Sequence, residues 1–206
     1  MPTSKLAKSS SLLLTACLLL PLGCGPKAYR GGEGTDNPDM DVPAMSTTLD
    51  LADIQDLVAK NLEAMTTSAW WGRDVQGAAE PPVVAIWPIM NSTSQHIDDQ
   101  MLQLLSEIET TFVNSGAVQV VSRERQSEMA AEVGVQQGAA FDPATASKVG
   151  RQVGAKYYVT GKITSTDERI KNTRRVQYAL FLQVIEVETS MIKFQFTSKR
   201  SKAVKG

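Results

Sequence analysis

Few residues of this 206-residue chain have types and spacings that do chemistry, and the first of them is a cysteine. A basic start, Lys5 and Lys8, runs into an apolar stretch from Ser9 to Leu22 that ends in Gly23-Cys24. A small residue before the cut and a cysteine after it is the grammar of lipoprotein processing, in which the sulfur takes a diacylglycerol before the peptide bond is cleaved. The stretch holds about 14 residues where a membrane-spanning helix needs about 20, so it reads as a cleaved signal and not a retained anchor. Pro21 stands where such a signal usually has leucine. Cys17, after Leu14-Thr15-Ala16, is the rival acceptor, but only about six apolar residues precede it against a usual minimum of about seven. We assign lipidation to Cys24; secretion with a cut elsewhere is the plainer alternative.

The remaining candidates argue against catalysis. His96 is the single histidine, and no cysteine cluster or acidic helix face supplies metal-ligand spacing around it. Asp98 and Asp99 are adjacent, so on a helix they diverge, whereas a glycosidase needs facing carboxylates. Gly31-Gly32-Glu33-Gly34 has no strand before it, and no Gly-x-Ser-x-Gly elbow occurs. With Cys17 removed and Cys24 acylated, neither a free thiol nor a disulfide framework remains. The reading is a non-enzyme with no metal or cofactor. The balance of 21 basic and 22 acidic side chains gives no global field for nucleic acid.

The elements that would position a binding surface follow from periodicity. Residues 1–23 form the signal, and 24–48, rich in Gly, Pro, Asp and Asn, form a flexible linker with a reach of about 25 to 30 Å. A domain follows over 49–198, then a basic tail over 199–206 that carries Lys199, Arg200, Lys202 and Lys205. Asp50 caps a helix whose apolar stripe is Leu51, Ile54, Leu57, Val58, Leu62 and Met65. Trp70 and Trp71 either pin that helix to the core or form an exposed aromatic patch. Val83 to Pro88 reads as a doubly buried central strand, followed by the polar loop Asn91-Ser92-Thr93-Ser94, with Ser94 capping a second helix. That helix buries Ile97, Met101, Leu104, Leu105, Ile108 and Phe112 and ends at Gly116, and Ala117 to Val121 returns as a parallel strand.

Ser122 caps a third helix, and Asp142-Pro143 starts a fourth that Gly154 closes. Three strands end the chain: Tyr157 to Ile163, Arg175 to Val187, and Met191 to Thr197 with Ile192, Phe194 and Phe196 on one side. The charged stretch from Asp167 to Arg175 reads as a solvated hairpin tip or a docking rim. The fold class is α/β (α+β): a single three-layer-like domain with a mixed sheet of about four to five strands flanked by helices.

Several of these pieces resemble a family. The strand ending at Pro88 with Asn91-Ser92-Thr93-Ser94-Gln95-His96-Ile97-Asp98, the Val120-Val121-Ser122-Arg123-Glu124-Arg125 step, and Phe141-Asp142-Pro143-Ala144-Thr145-Ala146 through Gly154 to Ile163 are similar to the LpoB family. Related domains occur in the TolB N-terminal region and in curli secretion channels. The resemblance implies an outer-membrane lipoprotein facing the periplasm, monomeric, that binds and activates a class A penicillin-binding protein and so regulates peptidoglycan synthesis. Asn91, Thr93, Ser94, His96, Arg123 and Arg125 are the expected partner contacts. The competing reading is a structural subunit of an envelope assembly or secretion complex.

Overall fold

The computed structural model describes residues 39, 43–123, 151 and 153–205. The signal, Cys17, Cys24, Arg125, most of the linker and nearly all of the expected third and fourth helices lie outside them.

Asp50 begins the first helix as expected. It accepts from the Asp53 backbone, and Asp53 returns the bond to the backbone of Asp50, a reciprocal capping box for α1, Leu51–Thr66. Ile54, Leu57, Val58, Leu62 and Met65 are buried, but Leu51, in the first turn, is exposed. A single π-helical turn, Trp71–Gln76, follows. Trp70 and Trp71 are both buried and meet edge to face at 5.8 Å, and Trp70 meets Tyr157 at 5.3 Å, so these rings are core and not an exposed patch.

Strand β1, Val83–Ser92, outruns the expected span, and α2 is Asp98–Ser115. Ser94 does not cap α2. The residue before its first turn is Ile97, no side-chain cap is made, and Asp98 and Asp99 supply negative charge at the helix start instead. Ile97, Met101, Leu104, Ile108 and Phe112 are buried, with Leu105 half-buried beside them. Gly116 ends α2 with φ 63°, a left-handed turn suited to glycine. Strand β2 is only Gln119–Val120, shorter than the expected Ala117 to Val121.

The last three strands are each 14 residues: β3 Tyr157–Ile170, β4 Thr173–Glu186 and β5 Ile192–Lys205. The sheet order is β2-β1-β3-β4-β5, with β1 parallel to β2 and β3 and the other pairings antiparallel. This is the expected mixed sheet in an α+β domain. Beyond Ser92, which pairs with Thr164, β1 ends while β3, β4 and β5 continue as a three-stranded arm. The charged stretch Asp167 to Arg175 is mostly strand within that arm, with a turn at Lys171-Asn172.

Helices α1 and α2 cover one face, where Val176, Tyr178, Leu180, Leu182 and Val184 are all buried, as alternation along β4 predicts. The opposite face holds a smaller buried cluster of Ala85, Trp87, Ala155, Tyr158, Ile185 and Val187. On β5 the expected apolar side fails in part. Phe194 packs, but Ile192 and Phe196 are exposed, and Ser198 and Lys202 are the buried residues. The tail expected from 199 onward is the second half of β5.

One glycine sets the spacing of the central strands. A Cβ on Gly161 would lie 2.0 Å from the Phe181 carbonyl oxygen and 2.9 Å from Leu182 Cδ2, beside the register shift between Ile86 and Ile89. The main obstacle is backbone, which cannot rotate away. Gly161→Ala is expected to lower unfolding stability by about 3 kcal/mol, the upper range of overpacking costs, with chemical denaturation as the measurement.

Candidate docking surface

The residues expected to meet a partner fall in two places. The loop after β1 locks itself: Asn91 Nδ2 donates to the Gln95 carbonyl at 3.0 Å, and the Thr93 backbone donates to Asn91 Oδ1 at 2.9 Å. The Gln95 backbone donates to Thr93 Oγ1 at 3.1 Å. Asn91 and Thr93 are therefore half-buried and structural, while Ser94 and His96 are exposed on a loop whose shape is set in advance. A pre-shaped loop loses little entropy on binding.

Arg123 lies elsewhere. Its guanidinium pairs with Glu109 at 2.8 Å and donates to Ser106 Oγ at 3.2 Å. These partners sit eight and eleven residues beyond Asp98 on α2, about 12 and 16 Å along the helix axis. Among the described residues no hydrogen bond or ion pair joins Arg123 to the Asn91–His96 loop, so Arg123 braces α2 against the end of β2. The expected contacts Arg123 and the Asn91–His96 loop thus sit at different places along α2.

Tyr178 ties the loop to the point where the chain enters the domain. Its hydroxyl lies 2.9 Å from both Gln95 Oε1 and the Thr47 carbonyl. Burial raises the phenol above its ordinary value, against the hydrogen bond to Gln95 and the charge of Lys202, and so keeps it neutral.

A second constellation was not visible in the sequence. Lys202 Nζ, almost wholly buried, donates to Asp50 Oδ2 at 2.5 Å, Asp53 Oδ2 at 2.9 Å and the Thr48 carbonyl at 2.9 Å. Arg200 reaches Asp53 Oδ1 at 3.2 Å and Asp56 Oδ2 at 3.5 Å. Burial disfavours the ammonium, but its hydrogen bonds to Asp50 and Asp53 outweigh that and raise Lys202 above its usual value. Burial likewise opposes the charge on Asp50, and the bond from Lys202 together with that from the Asp53 backbone holds it below the usual carboxylate value. The only available sequence signal was four-residue parity: Ser198 and Lys202 continue the inward side of Phe194.

Charge is segregated around this frame. Helix α2 carries Asp98, Asp99, Glu107 and Glu109 with no lysine or arginine, whereas β5 carries Lys193, Lys199, Arg200, Lys202 and Lys205 with no acid. Among the described residues no three of His, Cys, Asp and Glu gather to hold a metal, and no helix is long and apolar enough to cross a membrane.

The profile of the peptidoglycan-synthase activator LpoB matches residues 53–198. The fold is similar to the LpoB C-terminal domain from Salmonella enterica, at 16% identity over 72% of this chain and 98% of that one, with a TM-score of 0.53. The LpoB C-terminal domain from Escherichia coli gives 17% identity over 70% and 98%, with a TM-score of 0.50. At such identities the likeness is one of fold. No curated protein matches the chain by sequence.

Removing the Lys202 ammonium leaves buried Asp53 with Arg200 as its one remaining cation. Lys202→Met is expected to cost about 2 to 4 kcal/mol at neutral pH, because losing one partner of a buried pair is more damaging than the pair is worth. The pH dependence follows from the two shifts. A carboxyl lowered on folding stabilises above its unfolded value of 3.8 and loses that contribution as pH falls through the folded value. A lysine raised on folding stabilises below 10.5 and loses that contribution as pH rises through the folded value. The gap between parent and variant should be widest between those limits and shrink in acid, read by denaturation at a series of pH values.

Proposed function

The chain belongs to the LpoB family of peptidoglycan-synthase activators, and from that premise we propose that it is a lipid-anchored regulator of a class A penicillin-binding protein. It is an activator by family and not an enzyme. The observation that carries the reading is the family profile running through the domain from α1 into β5.

In this reading the mature chain is acylated at Cys24 and faces the periplasm from the outer membrane. Two acyl chains on one cysteine give a stable anchor where one would be marginal. The domain works as a monomer and meets the accessory surface of the synthase through the loop that presents Ser94 and His96. Binding there favours the active arrangement of the synthase, and an activator of this kind shifts that equilibrium only by its differential affinity for the two states.

Purified full chain in detergent, added to a class A synthase, is expected to raise the rate of glycan polymerisation from its lipid-linked precursor. Ser94→Ala with His96→Ala is expected to weaken capture of the synthase by about 1 to 2 kcal/mol. A stable ring of copies that leaves every synthase rate unchanged would favour the envelope-scaffold reading instead. For the anchor, Cys24→Ser should move the chain from the membrane fraction to the soluble fraction, while Cys17→Ser should leave it on the membrane; the reverse result would reassign the acylated residue.

A further inference from the structure

The face of β3, β4 and β5 turned away from α1 is laid out by cross-strand register. Cross-strand register lines up Lys162, Phe181 and Thr197, then Thr164, Ala179 and Lys199, then Thr166, Gln177 and Ser201. Glu168, Arg175 and Ala203 follow, and Ile170, Thr173 and Lys205 close the face at the tip of the arm. Among the described residues no helix covers these rows, and from Thr166 outward every side chain in them is exposed.

The charge there has one sign left over. Glu168 is neutralised by Arg175, and Asp167, on the other side of β3, by Arg174. Lys162, Lys171, Lys199 and Lys205 take part in no ion pair among the described residues. At the tip the twisted strands and the turn enclose an open trough of about 690 Å³, lined by Ile170, Lys171, Asn172, Thr173, Arg175 and Lys205, with Glu168 at its side. Lys205 stands six residues beyond Lys199, about 20 Å along one strand, so the free ammonium groups are spread along a track and do not converge on one small anion.

We propose that this face binds the carboxylate-bearing stem peptides of a peptidoglycan strand, a contact that rests on the synthase-activator reading because it places the regulator on that enzyme's product. Free ammonium groups at intervals match a polymer that repeats its carboxylates along an extended backbone. The trough offers Asn172 and Thr173 for peptide hydrogen bonds and the exposed Ile170 for an aliphatic side chain. A protein partner would call for buried aromatic anchors at the centre of the patch. Phe181 is the one aromatic ring in these rows, and it is half-buried between its register partners Lys162 and Thr197.

The test is co-sedimentation of the full chain in detergent with insoluble peptidoglycan, native or with the free carboxylates of its stem peptides converted to amides, which keeps the cross-links and the insolubility. The chain should sediment with the native polymer, be released as salt rises past the point where the screening length falls below about 8 Å, and ignore the amidated polymer. Lys162→Ala, Lys199→Ala and Lys205→Ala together should reduce the bound fraction about tenfold, and the matching arginine triple should restore it. The substituted lysines are exposed, and an unchanged thermal unfolding curve would show that the fold is kept. Equal binding to the amidated polymer, or equal binding by the alanine triple, would overturn the proposal. So would failure to sediment by a chain that still stimulates a synthase, and that result would leave the proposed function standing. If the alanine triple loses stimulation in a reaction with no preformed polymer, the face belongs to an acidic surface of the synthase and the polymer assignment is wrong. Sedimentation with intact polymer by a chain that stimulates no synthase would uphold the surface and remove the regulator reading.

Discussion

The ammonium of Lys202 sits in the interior with 3% of its side chain exposed, and the fold is arranged around giving it partners. A buried charge without partners costs several kcal/mol, and here the partners come from the first turn of a helix that begins some 150 residues earlier in the chain. Asp50 and Asp53 are therefore used twice. They close the capping box that starts α1, and they receive the lysine that fixes the far end of β5. A one-residue slip of β5 against β4 would turn Lys202 to solvent and leave Asp53 buried with Arg200 displaced as well, so the cluster specifies register as much as it stabilises. Asn61 repeats the device just over two turns along α1 from Asp53, donating to the Leu180 carbonyl and Ser198 Oγ across the same interface.

That constraint explains which parts of the fold were legible in the sequence. Where burial is driven by apolar periodicity the pattern is local and readable: Val176 to Val184 alternate on β4, and Ile97 to Phe112 repeat at helical spacing on α2. Where burial is driven by a polar partner distant in sequence, composition misleads. Lys199 to Lys205 has the look of a solvated tail because its inward residues are arginine and lysine, and nothing nearby in the sequence announces the aspartates that receive them. The charged stretch from Asp167 to Arg175 is solvent-exposed around the hairpin turn, as its composition suggests, and its ion pairs across the hairpin, Asp167 to Arg174 and Glu168 to Arg175, add support to strand pairing. Ser94 was a plausible cap by type, but the hydrogen bonds of Asn91, Thr93 and Gln95 close the loop on itself and delay the helix to Asp98.

The candidate contact residues divide by the same logic. Asn91 and Thr93 have the polar character of a recognition loop, yet their groups are consumed in holding its shape, so only Ser94 and His96 remain available. Arg123 is likewise committed, to Glu109 and Ser106. Near-neutral net charge concealed the larger electrostatic feature, since an acidic α2 and a basic β5 cancel in a sum while remaining on different sides of the molecule.

Strand directions bring the candidate surfaces to one pole. The C-terminal ends of β1, β3 and β5 point the same way, and the loop after β1, the tip of the arm and the first turns of both helices all lie there. The entry of the chain into the domain is at that pole too, because Tyr178 bridges Thr47 and Gln95 and Lys202 holds the Thr48 carbonyl. On the lipid-anchored reading this has a mechanical consequence. A leash that leaves the domain beside its docking loop must turn back past a docked partner, so the length of the folded domain adds nothing to the distance spanned. A pull on the entering chain meets the Thr47 carbonyl and its Tyr178 contact, and so the loop at Gln95, before it reaches Thr48, Asp50 and the buried Lys202.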